Sequence, residues 1–271
     1  MTVELLRHGA AVVGYHPGSG IDLPRSPRPF LTATTPSGTP VTQEAPDDHP
    51  HHLGLSAALP DVDGTSFWGG RTYVRGRGST MLDNHGTQRV TQHEVRGGAV
   101  AEQLVWLDRR GDALLEEDRS ITIRLVEARL EISWTTCLTA VAETVTFGSP
   151  QTNGRDGAFY GGLFWRTPFP SALVRCADGD GLDAAHGSTS PWLAVDAADA
   201  SIIAATTSGL PWFVRAEGYV GFGPAVAVTQ RRELEQGESL RLDLAVAILD
   251  GAPAAPEEVA SGLLAGVRDA V

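Results

Sequence analysis

Two stretches in the middle of the chain alternate apolar and polar residues with a period of two. They read Ile-Thr-Ile-Arg-Leu at 121–125 and Leu-Glu-Ile-Ser-Trp at 130–134. Successive side chains of a strand point to opposite faces, so each stretch predicts a half-buried strand. Glu127-Ala128 is short enough for a tight turn between them. The region from about 87 to 148 is therefore predicted to form a meander.

The same period returns near the end of the chain, where five apolar residues alternate with polar or small ones: Leu240, Leu242, Leu244, Val246 and Ile248. Shorter candidate strands, separated by Gly, Pro or Asp, lie at 193–195, 201–206, 212–215 and 225–234. Many short strands with turn signals favour an all-β protein, a large antiparallel β-sandwich.

Helical spacing is found only at the C-terminal end. Pro256 suits a first helical turn, and Val259, Leu263 and Val267 follow at intervals of four residues. One C-terminal helix is predicted at about 256–269. The Pro- and Gly-rich segment at about 16–46 is predicted to be an irregular loop that wraps the surface. A chain of 271 residues fits one sandwich domain over 1–271.

Charge narrows the range of partners. The formal net charge is -12, which repels nucleic-acid phosphates and anionic lipid, so no nucleic acid and no membrane is expected as a partner. No stretch approaches the roughly 18 apolar residues of a membrane span, and the first residues lack a signal-peptide pattern. These features predict a cytoplasmic location, with a homo-oligomer left open.

The densest chemistry lies at 47–52, where two carboxylates and three imidazoles occupy six residues. In extended geometry His49 and His51 point to one face while Asp48 and His52 point to the other, so only a bend can bring them together. Other interpretations stay open. The histidines could only hydrogen-bond backbone and carboxylates, form a solvated pH-sensitive surface, or bind adventitious metal.

Several sequence motifs occur around this segment in a fixed order: Arg28-Pro29-Phe30, Thr35-Pro36-Ser37-Gly38, Asp48-His49-Pro50-His51-His52-x-Gly54, Asp63-Gly64-x-x-Phe67-Trp68 and Tyr160-Gly161-Gly162-Leu163-x-x-Arg166. Over most of the chain this order resembles the bacterial PmoA-like family, labelled methane oxygenase PmoA.

The resemblance implies carbohydrate chemistry, because members of that family tend to be encoded among sugar-catabolic genes and NAD-dependent sugar oxidoreductases. It also implies a sandwich like those of sugar epimerases and polysaccharide lyases, including the galactose mutarotase-like super-sandwich. Methane oxidation is disfavoured, because the membrane subunit of methane monooxygenase needs transmembrane helices and this sequence predicts none.

The candidate site residues follow from side-chain chemistry. Imidazoles can abstract or return a proton near pH 7, and Arg166 could hold a carboxylate or polarise a keto oxygen. The predicted catalytic residues are His49, His52, His85 and Asp48. The predicted substrate-binding residues are Arg166, Tyr160, Trp68, Trp165 and His51.

Two hypotheses about function fit these residues. The first is an enzyme acting on a sugar, keto-sugar or glycoside as an epimerase, lyase or hydrolase. It would need either no cofactor or one divalent metal ion, held by His49, His51, His52 and His85. The second is a non-catalytic carbohydrate-binding or accessory protein, in which the histidines only stabilise a loop.

Overall fold

Strands make up most of the regular structure in the computed structural model, which describes residues 2–269. In chain order the strands are β1 (Val3–His8), β2 (Ala11–His16), β3 (Phe30–Ala33), β4 (Leu55–Ala58), β5 (Asp61–Val62), β6 (Thr72–Val74), β7 (Gly78–Thr80), β8 (Thr87–Arg96), β9 (Ala99–Leu107), β10 (Ala113–Val126), β11 (Arg129–Ala140), β12 (Thr144–Gly148), β13 (Gly162–Arg166), β14 (Leu173–Cys176), β15 (Gly179–Asp180), β16 (Trp192–Asp196), β17 (Ser201–Ala205), β18 (Trp212–Arg215), β19 (Gly221–Pro224), β20 (Arg232–Glu235) and β21 (Ser239–Leu249). A 3-10 turn (Leu23–Arg25) and the helices α1 (Leu182–Ala185) and α2 (Pro256–Asp269) complete the described chain.

Two large sheets contain most of these strands. A seven-stranded sheet has the order β1-β2-β3-β4-β13-β19-β18, and a nine-stranded sheet has the order β15-β14-β16-β17-β21-β11-β10-β9-β8. A three-stranded sheet, β20-β12-β5, and the hairpin β6-β7 are smaller. The strand pairs of both large sheets are antiparallel, so the predicted antiparallel sandwich is confirmed.

The predicted meander is present as β8 to β11, four consecutive neighbours of the nine-stranded sheet. Ile123 pairs with Ile132 across the tight turn at 127–128, and Trp134 pairs with Leu244 of β21 on the other side. The meander ends earlier than predicted, at Ala140, because β12 pairs with β20 and β5 instead.

The main core lies between the inner faces of the two large sheets. Trp165 and Trp212 of the seven-stranded sheet share one hydrophobic cluster with Trp106 and Trp134 of the nine-stranded sheet, and all four are at most 1% exposed. Burying an aromatic side chain of this size contributes about 1.5–3 kcal/mol. The inward-facing apolar residues are therefore what hold the two sheets together.

A buried polar network crosses this core. The Tyr15 hydroxyl of β2 donates to the Glu102 carboxylate of β9, so the bond joins the two sheets. Arg119 donates from Nε to Glu117 over 2.8 Å and lies 3.3 Å from Glu102. Trp106 Nε1 donates to Glu117 over 2.7 Å. The Arg119 guanidinium thus balances the charge of two carboxylates that water does not reach.

Helix α2 covers the outer face of the nine-stranded sheet. Its Ala260, Leu263 and Val267 pack on Ile203 and Ala247 of that sheet. Three apolar residues spaced by three and four positions form one stripe of a helix, which explains why this stripe is buried and the opposite face is exposed. The predicted terminal helix at 256–269 is confirmed.

The segment at about 16–46 differs from the predicted surface-wrapping loop. Its residues 30–33 form β3, a strand of the seven-stranded sheet in which Leu31 pairs with Tyr15 and with Leu55. Phe30 and Leu31 are buried. Four residues are too few to show a period of two, and the surrounding Pro and Gly residues hide the strand from pattern analysis.

The outer face of the seven-stranded sheet carries a third apolar cluster. Phe164 and Phe213 project from the sheet and pack with Trp68 and Phe159 from neighbouring loops. The histidine-rich segment lies on this side of the molecule, because His52 contacts both Trp68 and Phe164. In the part of the chain that is described, no helix is long and apolar enough to cross a membrane.

Candidate functional site

Strand alternation decides which residues of β13 reach the outer face. Leu163 and Trp165 belong to the core between the sheets, so Phe164 and Arg166 point outward. Trp165 is fully buried and its Nε1 donates to the Val41 carbonyl over 2.8 Å. The prediction that Trp165 binds substrate is therefore corrected: adjacent residues of one strand cannot both face the same site.

The histidine-rich segment at 47–52 is bent rather than extended. The amide of His49 donates to the Pro46 carbonyl over 3.0 Å, and the amide of His52 donates to the His49 carbonyl over 2.9 Å. These turns bring the three rings together. Centroid distances are 4.6 Å between His49 and His52, 4.7 Å between His51 and His52, and 5.7 Å between His49 and His51.

Arg28 fixes the segment from below and was not among the predicted site residues. Its guanidinium is buried and donates to the His51 carbonyl over 2.8 Å and to the Trp68 carbonyl over 3.2 Å. It also donates to Ser56 Oγ over 3.1 Å. Burial lowers the pKa of Arg28, yet its donors are satisfied by neutral acceptors. Its place in the Arg28-Pro29-Phe30 motif was the only sequence signal.

His85 lies behind the site rather than in its wall. Its Nε2 donates to the Gly70 carbonyl over 2.7 Å, and Gly70 in turn packs against the His51 ring, where an added Cβ would come within 2.7 Å. Gly70 has a φ of +70°, which glycine adopts without strain. His85 therefore positions a backbone segment and is not a catalytic residue of this cavity, which corrects the prediction.

Tyr219 is the central residue that the sequence did not reveal. It lies in the short connection between β18 and β19, with its ring 5.1 Å from His49 and 5.5 Å from His52. The guanidinium carbons of Arg166 and Arg215 lie 4.1 Å and 4.7 Å from the ring centroid. No spacing rule links a loop tyrosine to a histidine segment 170 positions away, so only the fold could show this contact.

These residues surround a cavity of about 510 Å³, a size typical of small-molecule sites. The aromatic rings on its walls belong to Trp68, Tyr160, Phe213 and Tyr219, and its polar groups include Asp48, His49, His51 and His52. Trp68 and Tyr160 pack with ring centroids 4.4 Å apart. Six of the nine predicted site residues thus line one cavity, and Arg166 lies beneath its floor.

Burial sets the protonation of the imidazoles. It lowers the pKa of His51 to about 3, helped by the positive charge of Arg28, and lowers the pKa of His52 well below its usual value. Both rings are therefore neutral at pH 7. The hydrogen bond from His49 Nδ1 to Asp48, 2.7 Å long, lowers the pKa of the Asp48 carboxyl. Burial raises the pKa of Tyr160 to about 12.

Two buried polar atoms at the site have no hydrogen-bond partner within residues 2–269: His52 Nδ1 and Arg166 Nη1. Buried polar atoms are normally paired, and a catalytic or binding role is one explanation for an exception. Within residues 2–269, no three His, Cys, Asp or Glu side chains are grouped so that they could hold a metal ion. The predicted ligands His49, His51, His52 and His85 are thus not assembled as a set.

Fold and cavity together define an antiparallel β-sandwich protein with a histidine-lined cavity on the outer face of one sheet. Over residues 2–263 the sequence matches the family of unknown function DUF6807, and the chain belongs to that family. The resemblance to the PmoA-like family is a separate prediction. A comparison with curated proteins finds no match.

Three solved structures illustrate what the chain is similar to. A galactose mutarotase-like protein from Lactobacillus casei has 11% identity and a TM-score of 0.49, with 92% of this chain and 100% of that one covered. The heparan sulfate lyase HepC from Pedobacter heparinus has 9% identity and a TM-score of 0.43 (90% and 34% covered). The α-galactosidase AgaA from Geobacillus stearothermophilus has 13% identity and a TM-score of 0.41 (93% and 41% covered).

Proposed function

We propose that this protein is an enzyme that acts on a sugar or keto-sugar by imidazole acid/base chemistry, as an epimerase, lyase or hydrolase. The observation that carries the proposal is the meeting of three imidazoles, two of them neutral by burial, in a cavity walled by aromatic rings. The resemblance of the sequence to a family encoded among sugar-catabolic genes supports the same class of substrate.

His49 is the group that takes and returns the proton. Its Nδ1 donates to Asp48, which leaves Nε2 as the free basic atom of the neutral ring. The Asp48 carboxylate stabilises the imidazolium that forms when Nε2 takes a proton. The neutral ring of His52 stacks on His49 with an interplanar angle of 24°, so His52 adds no positive charge that would oppose that step.

The aromatic walls orient the substrate. Trp68 and Tyr160 line the cavity with their rings packed on each other, and an aromatic wall of this kind suits the C–H surface of a pyranose. Positioning a carbon-bound or hydroxyl proton within hydrogen-bond reach of His49 Nε2 is what acid/base catalysis requires. Epimerases and lyases remove a carbon-bound proton, which exchange in heavy water detects, whereas a hydrolase protonates a glycosidic oxygen and is followed by the release of reducing sugar from a glycoside.

The test is proton exchange in heavy water. The protein is incubated with a panel of aldoses, keto-sugars and uronic acids, and the loss of a sugar C–H signal is followed by NMR. We expect protein-dependent exchange that falls about 10²- to 10⁴-fold in His49→Gln, the usual contribution of a general base. His8→Gln, which alters an exposed histidine at the end of β1, is the control and should keep the full rate.

Chelator treatment separates the two forms of the enzyme hypothesis. We expect the exchange rate to survive dialysis against a chelator, because His85 is bonded to Gly70 and does not complete a ligand set with the other histidines. Loss of activity that one added metal restores would contradict the metal-free form. Sugar binding with neither proton exchange nor glycoside hydrolysis for any member of the panel would favour the non-catalytic carbohydrate-binding alternative instead.

A further inference from the structure

The cavity is rich in positive charge although the chain carries a formal net charge of -12. Three arginines line it, Arg71, Arg155 and Arg215, against two carboxylates, Asp48 and Asp156. They come from three separate segments of the chain, so their convergence is a property of the fold. From this excess we infer that the substrate is a sugar acid, whose carboxylate binds at the arginine side of the cavity.

None of these three guanidiniums forms a salt bridge within residues 2–269. Arg215 stacks on Tyr219, and Arg71 makes one long hydrogen bond, 3.4 Å, to the Ser79 carbonyl. Some arginines elsewhere are paired closely: Arg231 lies 2.7 Å from Asp61, and Arg175 lies 2.8 Å from Asp196. The three arginines of the cavity have no such partner among the described residues, so their charge remains available to a ligand.

Arg166 adds a fourth positive charge beneath the floor. Its side chain is 4% exposed, and within residues 2–269 the one carboxylate within 4 Å of it is that of Asp48, whose Oδ1 lies 3.7 Å from Nη2, while Nη1 has no hydrogen-bond partner. A separation of 3.7 Å is too long for a hydrogen bond, so Asp48 only partly compensates the charge of Arg166. A carboxylate bound in the cavity would stabilise the buried charge of Arg166 by Coulomb attraction, without direct contact.

The balance of charge favours a carboxylate over a phosphate. The charged groups that a ligand can touch are three arginines and two aspartates, an excess of one that matches a monoanion, whereas a phosphate ester carries about 1.5 to 2 negative charges at pH 7. A planar guanidinium binds a carboxylate or a phosphate through two parallel hydrogen bonds, so the charge count and not the geometry decides between them. The inference rests on the proposed sugar chemistry of this cavity, and it names the class of sugar.

Calorimetric titration with matched ligands tests it. The pairs are galacturonate with galactose and glucuronate with glucose, and galactose 1-phosphate probes the phosphate alternative. We expect each acid to bind at least about tenfold more tightly than its neutral partner, and Arg215→Met and Arg155→Met each to weaken the acid about tenfold or more, as for one lost charge-assisted hydrogen bond. Arg89→Met removes an exposed arginine of β8 and should change nothing.

Equal binding of acid and neutral sugar, or no binding of either acid, overturns the inference. So does arginine-dependent binding of the sugar phosphate that exceeds that of both acids. The same titrations on His49→Gln separate the sugar-acid inference, which concerns binding, from the proposed function, which concerns catalysis. If the acid binds tightly but no sugar exchanges its protons, the sugar-acid site stands and the proposed catalysis fails. If neutral sugars exchange their protons and the acids bind no more tightly than they do, the proposed catalysis stands and the sugar-acid inference fails.

Discussion

At the scale of single residues, the site combines three imidazoles that differ only in their surroundings. His51 and His52 are held neutral by burial, while their neighbour His49 is 35% exposed and bonded to a carboxylate. In the proposed reaction His49 carries the proton, and the other two form an uncharged wall beside it.

This arrangement predicts acid sensitivity of the fold. In the unfolded chain His51 and His52 titrate near 6.5, whereas the folded-state pKa of His51 is about 3 and that of His52 is also lowered. Below pH 6.5 the unfolded state binds the extra protons, so stability falls as pH falls towards 3. The slope is at most about 1.4 kcal/mol per pH unit for each histidine.

Urea unfolding of the wild-type protein and of His51→Gln between pH 7 and 4 measures this slope. The variant should lose less stability on acidification than the wild-type protein, because one of the two suppressed titrations is gone. His8→Gln serves as the control and should follow the wild-type curve. Parallel curves for wild type and His51→Gln would mean that His51 titrates alike in the folded and unfolded states.

At the scale of secondary-structure elements, periodicity predicted the long strands, and turn signals marked the short candidates at 193–195, 201–206 and 212–215, which are present as β16, β17 and β18, but neither signal predicted β3. Strands such as β10 and β11 are long enough to show their alternation, and α2 shows its stripe. Residues 30–33 are too few for that. The bend at 46–52 contains the turn residues Pro46, Asp47, Asp48 and Pro50, but these mark a turn without fixing where the three imidazole rings will lie. For this reason the sequence revealed the histidines but neither their convergence nor their contact with Tyr219.

The close approach of Gly70 to His51 gives a prediction at this scale. Gly70→Ala places a methyl group about where the His51 ring lies and should displace the ring, reducing exchange activity or sugar binding. Gly76→Ala is a matched control, because Gly76 has a similar φ of +75° but open space around it. Each change costs roughly 1 kcal/mol in backbone strain, and the difference between them reports the contact with His51.

Thermal unfolding and ligand titration of both variants provide the measurement. Gly76→Ala should keep wild-type binding with a small loss of stability, and Gly70→Ala should lose binding as well. Equal behaviour of the two variants would show that the position of the His51 ring does not matter to the site.

At the scale of the whole molecule, the stabilising interior and the candidate site lie on opposite faces of the same sheet. The inner face carries Trp165 and the Tyr15–Glu102 bond, and the outer face carries Arg166 and the histidines. Replacements on the outer face should therefore affect ligands more than folding. Replacements in the buried network between the sheets should do the opposite.

Arg119 tests that division. Arg119→Met leaves Glu102 and Glu117 buried without their cation, which typically costs about 3–5 kcal/mol. Arg124→Met lies on the same strand, where Arg124 is exposed and pairs with Glu131, and should cost at most about 1 kcal/mol. Chemical denaturation measures both free energies. Similar small losses in the two variants would show that the network contributes little to joining the sheets.

The way Arg28 holds the cavity has a consequence for altering it by design. Its guanidinium donates hydrogen bonds to the carbonyl oxygens of His51 and Trp68, not to their side chains. Every amino acid has a backbone carbonyl, so these hydrogen bonds do not depend on which residue occupies either position. Libraries randomised at 51 should therefore keep their backbone frame while presenting new surfaces to the cavity. Trp68 also packs in the buried cluster with Phe164 and Phe213, so position 51 is the better place to select altered ligand preference.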